Sequence, residues 1–135
     1  MLPDSIKPCL QGVIPSWIVS SDGNGVPNAS IISQVFYVDK NHVAVSNQFF
    51  GKTSRNLDKA PAAQLQVLNP ADCAVWILDV EMVRRETEGP LFDQMDMQLQ
   101  AIASMVGAQD LFKLRSADVC RVVHVREWKE AQRPV

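Results

Sequence analysis

One change of hydrophobic period divides this chain. From Leu91 to Val106, apolar residues recur at helical spacing (Leu91, Phe92, Met95, Leu99, Ile102, Val106), with Asp93, Asp96 and Gln98 between them. Gly89-Pro90 stands before this stretch and Gly107 after it, the ends that proline and glycine prefer in a helix. Most of the remaining chain is β-rich and punctuated by turn residues.

The strands follow from alternation and turn chemistry. Met1 to Leu10 makes a short helix, with Asp4 or Ser5 near its start, and Val13 to Ser20 a first strand. Ser21-Asp22-Gly23-Asn24-Gly25 is a tight turn, since Gly and Asn accept positive φ. Ala29 to Val38 reads as one long strand, and Asp39-Lys40-Asn41 turns the chain into His42 to Ser46. These three strands in succession predict an antiparallel meander. Ala63 to Leu68 alternates Leu65 and Val67 against Gln64 and Gln66. Cys73 to Glu88 is long enough for a bent strand, Leu111 to Leu114 is a connector, and Asp118 to Trp128 is a last strand. The expected fold is mainly β with inserted helices: a six-stranded antiparallel barrel, closed or split, with one long helix before the last strand.

Composition narrows the class. A chain of 135 residues, 47% hydrophobic, suffices for one domain over residues 1–135 with its own core. Cys9, Cys73 and Cys120 are odd in number and lack metal or CxxC spacing, which points to free thiols in a reducing cytoplasm. No apolar run approaches the roughly 20 residues that span a bilayer. A net charge of -2 without a basic cluster argues against nucleic acid as the main partner. His42 and His124 have no metal partner in view, and Trp17, Trp76 and Trp128 are more simply core or interface residues than ligand stacks.

The chemistry concentrates in Ser46-Asn47-Gln48-Phe49-Phe50-Gly51-Lys52-Thr53-Ser54-Arg55-Asn56. Val43-Ala44-Val45 before it reads as a strand, and Leu57 to Ala60 after it as helical turns stopped by Pro61. Such a junction offers unpaired backbone N–H groups, a mobile charge on Lys52 and a hydroxyl on Thr53, which together suit a phosphate. It is not a nucleotide P-loop, because Ser46 stands where that motif needs glycine. On local spacing alone, a solvated strand-to-helix turn is the commoner outcome.

Pro27-Asn28-Ala29-Ser30, the run Ser46 to Thr53, Asn56-Leu57 and Thr87-Glu88-Gly89-Pro90-Leu91-Phe92, in this order, resemble the FMN-binding split β-barrel. This is the pyridoxamine phosphate oxidase-like family, including its short bacterial FMN-binding proteins, and the resemblance runs from Leu2 to about Val125. It implies a homodimer with FMN at the subunit interface. Ile31, Ile32, Ser33 and Gln34 would lie along the flavin ring. Ser46, Asn47, Gln48, Phe49 and Phe50 would serve its polar edge and ribityl chain. Lys52 and Thr53 would clamp the phosphate, in agreement with the physical reading of that junction. Arg85 could reach an anionic edge of a ligand across the dimer. Lys129 to Val135 has no match to the arginine-containing segment with which the oxidase itself grips its substrate, so that reaction is not implied.

The function so implied is a flavoprotein oxidoreductase or electron carrier holding FMN non-covalently, reduced by an unknown small molecule or a nicotinamide donor. No general base is needed, because the flavin carries the electrons. Two alternatives stand beside it: a flavin-binding sensory or regulatory module without turnover, and a barrel that has lost flavin and takes another anion or a protein partner.

Overall fold

The β-rich run between Pro27 and Asp39 is two strands. Ile32 and Val35 both point into the same core, each 2% exposed, although residues three apart on one strand face opposite ways. The chain meets this demand by breaking at Ser33-Gln34, giving β2 (Pro27–Ile32) and β3 (Val35–Asp39). Two polar residues inside a β-rich run do not by themselves mark such a break, which is why seven strands form among the described residues where six were expected.

The computed structural model describes residues 1–10, 14–48, 51–107 and 113–128. A 3-10 helix at Asp4–Leu10 precedes β1 (Ser16–Ser21), β2 and β3. Then come β4 (His42–Asn47), α1 (Lys52–Lys59), β5 (Ala62–Leu68), β6 (Val75–Glu86), α2 (Pro90–Met105) and β7 (Ser116–Trp128). The 16-residue α2 directly precedes β7, and two shorter helices accompany it among the described residues.

All strands are antiparallel in one sheet of order β2-β1-β5-β6-β7-β4-β3. The expected meander is therefore two hairpins, β1-β2 and β3-β4, at opposite edges. Because β2 and β3 are the two edges and only Ser33-Gln34 separates them, the sheet must curl until its edges meet. Ser46 N–H donates to the Gln34 carbonyl at 3.2 Å, which carries the β3-β4 ladder up to the break. Register shifts in the long β6-β7 pair, at Asp79/Val80 and Met82/Arg84, supply the bend that a rolled sheet needs.

The curled sheet encloses Ile18, Ile32, Val43, Val45, Leu65, Leu78 and Val122, with Ile6 and Leu10 of the 3-10 helix packed against them. A second core lies on the outer face, where Met95 and Leu99 of α2 cover Ala44, Ala117 and Val119. β4 and the first half of β7 are thus buried on both sides, and they lose the alternation that the second half of β7 keeps. Pro90 opens α2 after Gly89, whose φ of 103° needs a glycine.

Candidate functional site

At the seam, the end of β2, the end of β4 and the start of α1 enclose a pocket of about 250 Å3. Asn28, Ser30, Ile31 and Ile32 line it from β2 with Ser33 just after, Ser46 from β4 with Gln48 just after, and Lys52 and Thr53 from α1 with its N-cap Gly51. The sequence places these groups here for separate reasons. β2 alternates Asn28, Ser30 and Ile32 on one face, so polar side chains occupy the open end of that face and an apolar one the closed end. Gly51 occupies the N-cap of α1 without a side-chain cap, leaving the first-turn N–H groups without a capping partner.

The polar groups are unevenly satisfied. Buried Thr53 Oγ1 accepts from Asn28 Nδ2 at 3.0 Å and lies 2.9 Å from Ser30 Oγ, which ties α1 to β2. Ser46 Oγ donates to the Gln34 carbonyl at 3.4 Å. Gln48 is 4% exposed, yet its Oε1 has no hydrogen-bond partner among the described residues. An orphaned buried acceptor in a pocket is a place for a donor supplied from outside the chain. The exposed Lys52 ammonium enters no ion pair among the described residues. It helps, after the Asn24 and Val26 backbone N–H groups, to hold the Asp22 carboxyl below the ordinary carboxylate range.

The structure gathers Ile31, Ile32, Ser33, Ser46, Gln48, Lys52 and Thr53 around this pocket and sends two other expected residues elsewhere. Gln34 turns away to α2, donating from Nε2 to the Met95 carbonyl at 3.4 Å and to Gln98 Oε1. Asn47 turns under α1, donating from Nδ2 to Ser54 Oγ at 2.8 Å and to Asp118 Oδ2 at 3.2 Å. Phe49 and Phe50 lie outside the described residues. Asn28, Ser30 and Gly51 join the lining although they stood outside the expected set. The signal for the first two was their alternation leading into a buried isoleucine.

Arg85 is committed within the chain: Nε to Asp118 Oδ1 at 3.2 Å, Nη1 to Asp58 Oδ1 at 3.0 Å and Nη2 to the Ser54 carbonyl at 3.4 Å. Burial raises the Asp118 carboxyl against the opposing pull of Ser116, Arg85 and Asn47. Burial also pushes the Cys120 thiol up to about 12 and Cys9 to about 11, which leaves neither as a reactive thiolate near neutrality. His42 pairs with Asp39 at 2.9 Å, His124 sits 3.8 Å from Asp79, and neither lines the pocket. Among the described residues, no cluster of His, Cys, Asp and Glu could hold a metal ion, and no helix is long and apolar enough to cross a membrane.

No protein-family model matches the sequence, and no curated protein matches it. Solved structures do. An FMN-binding protein from Syntrophomonas wolfei superposes with a TM-score of 0.75 at 18% identity, over 92% of this chain and 86% of that one. HutZ, the heme storage protein of Vibrio cholerae, superposes at 0.59 and 17% identity, over 98% and 100%. A candidate pyridoxamine phosphate oxidase from Lactobacillus delbrueckii superposes at 0.59 and 9% identity, over 83% of each chain. The fold is therefore the split barrel of the pyridoxamine phosphate oxidase-like proteins.

Proposed function

We propose that the chain is one FMN-binding unit that works as an oxidoreductase or electron carrier, with the cofactor held at the seam pocket. The observation that carries this reading is Gln48 Oε1, buried without a partner among the described residues beside a helix start that lacks a side-chain cap and near Lys52. Lys52 and the α1 N–H groups suit a phosphate, Thr53 adds a hydroxyl, and Ser30 and Gln48 suit a hydroxylated chain. Bound FMN would supply the electron transfer, so the protein needs no acid/base pair of its own. A flavin-bearing neighbour of the same fold supports the choice of cofactor.

The pocket lies below the roughly 300 to 1,000 Å3 common for ligand sites, so the cofactor ring would extend beyond it. Ile31, which lines the pocket, and Trp17 beside it form an exposed cross-strand pair, 59% and 45% accessible. A second copy of the chain laid over this apolar pair would complete the site, which makes the working form a homodimer. The electron donor is a nicotinamide or another small molecule. Free thiols at Cys9, Cys73 and Cys120 suit the cytoplasm.

The test is the visible spectrum of purified protein, recorded before and after adding FMN and desalting. A retained two-band flavin spectrum is expected. Loss of all FMN on desalting would overturn the reading, and a retained heme band would replace it with the ligand named for the Vibrio neighbour. Anaerobic reduction with NADH or NADPH then separates an enzyme, whose flavin bleaches, from a sensory module, whose flavin does not.

A further inference from the structure

α1 is eight residues long, below the length at which a helix holds itself in water, so its direction is set by what grips it. One side is held by Thr53 on Asn28 and Ser30, and by Asn56 Nδ2 donating to Ser20 Oγ at 3.2 Å. The other side is held through a carboxylate that touches no part of the pocket. Asp118 is fully buried, and its oxygens accept from Ser116 Oγ at 2.7 Å, Arg85 Nε and Asn47 Nδ2. Two of those three donors continue to one residue of α1: Asn47 reaches the Ser54 hydroxyl, and Arg85 reaches the Ser54 carbonyl and Asp58. Ser54 belongs to the same first turn as Lys52 and Thr53.

We propose that Asp118 is a positioning residue for the anion-binding start of α1, acting through Arg85 and Asn47 on Ser54. This rests on the reading of that helix start as the phosphate end of an FMN site. A buried carboxylate that merely filled space would be replaced at little loss by an apolar side chain. Here it aligns two donors whose far ends meet on one residue. An amide at this position would set its own N–H group against Asn47 or Arg85 and release one of the two links. The first turn would then tilt relative to Gln48 and Ser30. Any loss falls on the phosphate and spares the flavin ring.

The experiment compares FMN with riboflavin, which lacks the phosphate, by fluorescence titration of the full chain and of Asp118→Asn and Arg85→Lys. Arg85→Lys keeps the charge beside Asp118 but cannot span Ser54 and Asp58 together. Both variants are expected to weaken FMN by about tenfold while riboflavin changes by less than about twofold. Equal weakening of the two flavins marks a merely structural residue and overturns the proposal, as does an unchanged FMN to riboflavin ratio. Should Asp118→Asn fail to fold, Arg85→Lys decides by the same ratio. An unmutated chain that holds FMN no tighter than riboflavin defeats the phosphate reading itself, whatever the variants do.

Discussion

The two α-helices both follow a strand and a glycine, and they do different work. α2 enters after Gly89 and is held by apolar contact, with Met95, Leu99 and Ala103 each fully buried. α1 enters after Gly51 and is held mainly by hydrogen bonds and one arginine, with Leu57 its single buried apolar side chain. The start of α2 also lacks a side-chain cap, but Pro90 removes one of its N–H groups and the helix is fixed by its apolar face. A helix suspended by hydrogen bonds sits on a polar floor, and there the pocket forms. The junction alone does not make a site; the surroundings of the first turn do.

The largest test of this contrast removes packing. Leu99→Ala should lower unfolding free energy by about 2 to 5 kcal/mol, read by denaturant titration. Its FMN to riboflavin affinity ratio should stay unchanged, since α2 takes no part in the pocket. The reverse experiment is Lys52→Ala. It should weaken FMN by about 1.5 to 3 kcal/mol in calorimetric titration, leaving apo stability within about 0.5 kcal/mol. Unchanged FMN affinity would remove Lys52 from the site.

The smallest effects come from the two glycines. Gly89 sits at φ 103°, so Gly89→Ala should cost about 1 kcal/mol through backbone strain alone, as nothing lies within 4 Å of the added carbon. Gly51 has ordinary φ of -95°, and an added carbon would meet only the Arg55 side chain at 3.6 Å. Gly51→Ala should therefore shift the thermal midpoint by less than about 2 °C, corresponding to a few tenths of a kcal/mol. Equal penalties at both positions would show that the two junctions are not built differently.

Legibility in the amino-acid sequence divides along the same line. α2 is legible because a 3.6-residue period, a proline and a glycine coincide on one stretch, and β5 because Leu65 and Val67 alternate cleanly with glutamines. The Ser33-Gln34 break is illegible, since nothing local says that Ile32 and Val35 share one core. Lys52 and Thr53 stand out as pocket residues because a strand, a glycine and a helix start announce themselves in sequence. Gln34 and Asn47 look just as suited to a ligand. Their amide N–H groups instead serve the chain itself, and the spacing of residues does not say which way an amide turns.

The position of β7 has a consequence for how the molecule assembles. Before β7 pairs, the strands form two disconnected pieces: the four-stranded array β2-β1-β5-β6 and the hairpin β3-β4. β7 follows every other described strand in the chain and lies between β6 and β4, so it alone joins the pieces, through contacts far apart in sequence. Closing the sheet therefore depends on long-range pairing, and without β7 in place β6 and β4 each present an open edge to other chains. A nascent chain of this topology needs protection from its own copies for as long as β7 has not emerged from the ribosome.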